Sequence, residues 1–278
     1  MSRVLQSFLA LALLVPVSPA AALPLTFDDP VTLSPTAGPG LWYVDRYAPA
    51  GFTSPVVLLG DNRLKQSIAV ADGAANRPPA FAPAFYNTQG RKYDLPAATT
   101  FASIDLYVPA DWASTGRRMA GFWATAMNTT DPLPPNTEIG VSFYPILEFT
   151  SLGGTPRFRA WNGSGWNDLG LPSGFAYDSF TTLAFHLSGS DLVYTVGDLT
   201  TSVGSNGSIR FANTILQGYN TTNGVDYDIF WDNLSITKPG VVIPEPGTWM
   251  MLIAGVGLVG AGLRRRAMGG GRAALPGQ

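Results

Sequence analysis

Apolar and polar residues alternate with period two along most of this chain, the pattern of half-buried β-strands rather than of helices. In Ala102–Val108, Ile104, Leu106 and Val108 fall on one face and Ser103, Asp105 and Tyr107 on the other. Thr182–Leu187 repeats the pattern, with Leu183, Phe185 and Leu187 opposite Ala184, His186 and Ser188. Across the turn Ser188-Gly189-Ser190-Asp191, the stretch Leu192–Val196 reads as its hairpin partner. Ile139–Phe149 is a long apolar-aromatic run broken at Pro145, which predicts a bend or an edge position. Ser208–Phe211 and Tyr227–Thr237 are further strand signals. In the last of these the apolar register flips, because Ile229 and Trp231 are odd while Leu234 and Ile236 are even. A bulge near Asp232-Asn233 would reconcile the two faces. Leu152-Gly153-Gly154 and Asn162-Gly163-Ser164-Gly165 supply turns between strands. No helical period of 12 residues interrupts the region from Leu23 to about Thr237. The pattern therefore predicts an all-β fold, an antiparallel two-sheet sandwich over residues 23–237.

Both ends of the chain depart from this pattern. Arg3, the apolar stretch Val4–Val17 and the small residues Ser18-Pro19-Ala20-Ala21-Ala22 describe a secretory signal peptide over residues 1–22. At the other end, Lys238-Pro239-Gly240 opens a linker, 238–243, to Pro244-Glu245-Pro246. An apolar run from Gly247 to Leu263 and then Arg264-Arg265-Arg266 follow. The uncharged part, Trp249–Leu263, would span about 22 Å as a helix against a hydrocarbon core of about 30 Å. It predicts a short single transmembrane helix. The arginines hold the tail, 267–278, on the cytoplasmic side, so the body lies outside. Two prolines keep Glu245 in extended backbone beside the membrane, a form suited to a processing enzyme.

Pro-Glu-Pro, a short apolar helix and an arginine cluster, contiguous and in that order, resemble the PEP-CTERM sorting signal of bacterial surface proteins. The resemblance covers the last 35 residues, of which the 12 beyond Arg266 exceed the family's usual tail. It implies recognition by an exosortase, an integral-membrane cysteine protease, with cleavage near Pro244, Glu245 and Pro246. It also implies export through the inner membrane, transient anchoring, release to the cell surface or extracellular matrix, and company with exopolysaccharide in a biofilm. The body in turn resembles a concanavalin A-like jelly roll. The carriers of that likeness are the closing strand Phe230-Trp231-Asp232-Asn233-Leu234-Ser235-Ile236-Thr237 and the early Thr26-Phe27-Asp28-Asp29. In such sandwiches the first and last strands often pair.

Composition removes several chemistries. The 278 residues include no cysteine, which excludes disulfides, thiol catalysis and cysteine-ligated zinc. Five arginines (Arg3, Arg264, Arg265, Arg266 and Arg272) lie in the ends. Without them 12 basic residues face 19 acidic ones, and a body of charge −7 repels nucleic acid. The single histidine, His186, falls on the polar face of its strand, which argues against a serine-hydrolase triad. The Glu-x-Asp-x-x-Glu arrangement of laminarinase-like jelly rolls is absent. The only body glutamates, Glu138 and Glu148, would stand about 30 Å apart on a straight strand. The expectation is therefore that the body is not an enzyme but structural, adhesive or weakly carbohydrate-binding. The alternative is a polysaccharide-active glycosidase or lyase on the same sandwich.

Two further sets of residues carry candidate chemistry. Trp161 and Trp166 flank a polar, Gly-rich hairpin, where exposed indoles would stack on a pyranose; the competing reading places the rings in the sandwich core. No cofactor is otherwise expected, but Asp28, Asp29, Asp232 and Asn233 would offer oxygen ligands to a structural calcium if the chain ends pair.

Overall fold

The computed structural model describes residues 24–73, 76–82, 87–114, 119–131, 139–219 and 225–236. The predicted signal peptide, the linker and the sorting segment lie outside these residues, as does Glu138. Among the described residues no helix is long and apolar enough to cross a membrane.

Among the described residues, sixteen strands form two stacked sheets: β1 (Leu33–Ser34), β2 (Trp42–Asp45), β3 (Gly51–Leu58), β4 (Asp61–Ile68), β5 (Thr88–Asp94), β6 (Phe101–Val108), β7 (Met119–Met127), β8 (Val141–Phe143), β9 (Ile146–Thr150), β10 (Arg157–Trp161), β11 (Trp166–Gly170), β12 (Ser179–Ser188), β13 (Asp191–Val196), β14 (Leu199–Gly204), β15 (Arg210–Tyr219) and β16 (Tyr227–Ser235). One sheet has nine strands in the order β1-β2-β5-β15-β7-β9-β10-β11, with β8 also on β7. The other has seven, in the order β14-β13-β12-β6-β16-β4-β3. Pairing is antiparallel except between β1 and β2. The expected all-β, jelly-roll-like sandwich is what the chain builds.

Several local expectations hold in detail. On β6, Ala102, Ile104, Leu106 and Val108 face inward and are fully buried. β12 and β13 join through the two-residue loop Gly189-Ser190, with Gly189 at φ 60°, where a Cβ would be unfavourable. The run before Phe149 does break at Pro145, into β8 and β9. On β16, Asn233 adopts φ 50° and the pairing with β6 shifts between Asp232 and Ser235. This bulge turns Leu234 into the core alongside Ile229 and Trp231.

The core between the sheets is aromatic. Phe122 of β7 stacks on Phe185 of β12 at 4.5 Å between ring centroids, and Phe185 meets Phe211 of β15 edge-on at 5.0 Å. A buried polar bridge also crosses the core. Gln66 of β4 donates to the Gln89 carbonyl of β5 (2.8 Å) and accepts from the Trp231 indole (3.0 Å). The strand signal at Ser208–Phe211 is the start of a much longer central strand, β15.

Candidate functional site on the outer face of the nine-stranded sheet

The pleat of the nine-stranded sheet sends alternate residues away from the core. Cross-strand pairing places Asp45 (β2), Gly90 (β5), Gln217 (β15), Gly121 (β7), Glu148 (β9), Arg159 (β10) and Asp168 (β11) in one row on that outer face. The next row runs through Tyr43, Lys92, Ile215, Trp123 and Ile146. Trp123, Ile146 and Ile215 form an apolar cluster of their own, against which Trp161 and Trp166 pack. Those two indoles meet edge-on at 5.2 Å. They are half-buried rather than enclosed, although Trp161 also touches the margin of the main core.

Glu148 sits among these aromatic rings and is fully buried. Its Oε1 accepts from Arg159 Nε at 2.5 Å and pairs with Arg159 Nη2, while Oε2 has no hydrogen-bond partner. The Arg159 guanidinium lies 4.0 Å above the Trp166 ring, a cation–π contact that fixes both. Burial pushes the Glu148 carboxyl up from 4.5 to about 7, against the opposing pull of Arg159. A carboxyl that exchanges its proton near neutrality can serve as a general acid. From sequence alone Glu148 stands only as half of a distant pair. The signal was nonetheless present: one carboxylate alternating with Leu147 and Phe149, and an Arg-x-Arg repeat on the neighbouring strand to receive it.

Further along the row, Gln217 donates to the Asp45 carboxylate, which also pairs with Lys92 at 2.9 Å and Arg46 at 3.7 Å. Two glycines give these side chains room. A Cβ at Gly90 would come within 2.3 Å of Gln217 Oε1, and one at Gly121 within 2.3 Å of the Trp123 indole nitrogen. Asp45 stands four strand spacings from Glu148, about 19 Å. Asp168 is two spacings away, about 10 Å, and exposed.

The four residues considered for calcium lie elsewhere, at the joined chain ends. Those ends do pair, through Leu25 and Leu234 (2.8 and 3.1 Å). The side chains of Asp28, Asp232 and Asn233 are nonetheless engaged separately, and for Asp29 the backbone carbonyl is. Asp28 accepts from Thr26 (2.5 Å) and Asn62 (3.0 Å), the Asp29 carbonyl accepts from Ser54, and Asn233 donates to Asp105 (2.8 Å). Asp232 meets a cation already present in the chain, Arg63, at 2.6 Å. Among the described residues no three acidic or histidine side chains gather as a metal cluster. His186 is half-buried on β12, between Val193 and Phe101 on the neighbouring strands.

The tail is assigned through its sequence, in which the Pro-Glu-Pro, apolar and arginine segments follow one another. Residues 242–266 match the PEP-CTERM protein-sorting motif. The PEP-CTERM segment marks the chain for export and transient anchoring in the membrane, with an exosortase as its processing partner. No curated protein matches the chain. Among solved structures, the catalytic domain of an endo-1,3-β-glucanase (laminarinase) from Thermotoga petrophila RKU-1 is 11% identical at a TM-score of 0.49, covering 77% of this chain and 95% of that one. A family 7 alginate lyase, A1-II′, is 12% identical at a TM-score of 0.40, covering 68% and 82%. A sialidase is 12% identical at a TM-score of 0.41 over 70% of this chain, which spans only 16% of that protein. These neighbours correct one expectation. The expectation that the body is not an enzyme is withdrawn, since a glucanase and an alginate lyase stand among them.

Proposed function

We propose that this is an exported protein, released from its C-terminal anchor by an exosortase, whose sandwich holds polysaccharide on the outer face of the nine-stranded sheet. The observation that carries the reading is the pair of half-buried indoles Trp161 and Trp166, which pack over the buried Trp123 cluster beside the Glu148–Arg159 pair, on the side of the sheet away from the sandwich core. Flat aromatic rings stack on the apolar faces of sugars, and the amides, carboxylates and guanidinium beside them match sugar hydroxyls. Release near Pro244–Pro246 would deliver the body to the cell surface or matrix, where such polymers are exported. Affinity electrophoresis through gels containing different polysaccharides tests this. Replacing both Trp161 and Trp166 with alanine should abolish retardation while leaving the folded mobility unchanged. Retardation that survives the double replacement would move the site elsewhere.

A second reading, cleavage of the bound polymer, is favoured by the proton held near neutrality on Glu148. Asp168, the other carboxylate of the same row, lies two strands away with Arg159 between them. Release of reducing ends, lost in Glu148→Gln while binding remains, would establish cleavage. Binding with no release of reducing or unsaturated ends would leave the face a holding site.

A further inference from the structure

Independently of the glycan-binding reading, we infer that two copies of this chain associate through β14, an edge of the seven-stranded sheet, which pairs antiparallel with β14 of the second copy. An edge strand presents unpaired N–H and C=O groups that invite another strand, and proteins blunt it with short strands, charges, prolines or bulges. Among the described residues every other edge carries such a device. β1 and β8 are two and three residues long. β3 contains Pro55, and its register against β4 slips between Thr53 and Val56. β11 carries the exposed Asp168, and its register against β10 slips so that Leu169 is left over. β14 has none of these. Leu199-Thr200-Thr201-Ser202-Val203-Gly204 is six residues long, uncharged and without proline. Its register against β13 is unbroken from Leu199↔Val196 to Gly204↔Asp191.

The direction of its backbone groups selects the partner. The two-residue turn Gly197-Asp198 makes Val196 and Leu199 a hydrogen-bonded pair, so Leu199, Thr201 and Val203 point their N–H and C=O groups at β13. Thr200, Ser202 and Gly204, all exposed, point theirs outward, where no described strand meets them. A two-fold pairing centred on Ser202 sets that residue opposite its own mate and Thr200 opposite Gly204 of the second copy. Every outward N–H and C=O of the three residues then has a partner. The next hydrogen-bonding register in either direction leaves Thr200 or Gly204 unpaired. On the inner side Thr201 comes opposite Val203 of the second copy, two β-branched side chains suited to a sheet. No like charges meet. Asp198, which accepts from the Ser173 amide at 2.9 Å, falls beyond the end of the ladder, opposite the Ser205-Asn206-Gly207 turn of the second copy. This self-complementarity favours a second copy over a foreign strand.

The chain has no cysteine, so a single introduced thiol reports on the pairing. Two Ser202 positions would face each other with Cα atoms about 5.5 Å apart, within reach of a disulfide. Two Thr200 positions would stand about 13 Å apart along the ladder. In the purified full chain, in mild detergent, oxidation should link Ser202→Cys into a covalent dimer and Thr200→Cys about tenfold less. Sedimentation should give the unaltered chain the mass of two copies and Ser202→Pro the mass of one. Proline is compatible with the fold at that position because the N–H it removes points away from β13, and an unchanged far-ultraviolet dichroism spectrum would show the variant folded. A monomeric unaltered chain, a dimer that survives Ser202→Pro, or equal cross-linking from positions 200 and 202 would each overturn the inference.

Discussion

Glu148 makes the stability of the sandwich depend on pH in a way that one substitution isolates. Its carboxyl titrates near 4.5 when exposed in the unfolded chain and near 7 in the folded one, because burial disfavours the charge more than Arg159 favours it. At about 1.4 kcal/mol per tenfold change in proton affinity, this difference is about 3 kcal/mol. The sign follows from linkage. Below pH 4.5 the group is protonated in both states and its contribution is fully present; as pH rises through 7 the folded state must ionise it, and the contribution is lost. Urea unfolding at pH 4 and pH 8 should therefore show a fall in stability in the unaltered chain that exceeds the fall in Glu148→Gln by about 3 kcal/mol. The glutamine variant also deprives Arg159 of its carboxylate, but that loss does not titrate in this range, so it cancels from the comparison. An identical fall in both chains would mean that folding leaves the proton affinity of Glu148 unchanged, and the acid role argued for it would fail.

Two other perturbations test the packing around the site and at the chain ends. Arg63→Met leaves Asp232, whose side chain is 5% exposed, without its cation. The cost should be about 3–5 kcal/mol at pH 8 and smaller at pH 5, because burial pushes Asp232 up to about 6 and a proton can replace the guanidinium. Equal losses at both pH values in denaturant unfolding would contradict this. Gly90→Ala would set a Cβ 2.5 Å from the Leu216 carbonyl oxygen as well as against Gln217, and should cost about 1–3 kcal/mol. Gly204→Ala, with nothing within 4 Å of the new Cβ, is the control and should shift the unfolding midpoint little. Similar shifts in the two variants would refute the close approach.

The sequence made some of this architecture plain and hid the rest for a physical reason. β6, the β12–β13 hairpin and the bulge at Asn233 are legible because one side of each faces the core and the other faces solvent or carries polar side chains. β7 and β15 are not, because every described residue of Met119–Met127 is buried, and in Arg210–Tyr219 all but the last. Where both faces of a strand are covered, apolar and polar residues no longer alternate: Gln217 and Asn213 are as buried as Leu216. Those two strands carry the centre of the candidate face, so the site was obscured along with them. Trp161 and Trp166 could be singled out from their hairpin, but their side of the sheet depends on the register of β10 against β9. Glu148 was visible as a charge in an apolar run, yet only the pairing of Arg159 opposite it gives that charge a role. The sorting signal, by contrast, is a linear motif and needs no fold to be read.

The processing history of the chain is tested most directly by the intact mass of the protein recovered from the cell surface or medium. The account predicts a species that begins near Leu23 and ends near Pro244–Pro246. A species that still carries Arg264–Gln278 would mean that the anchor is retained, and the claim that an exosortase releases the sandwich to meet its polysaccharide would be wrong.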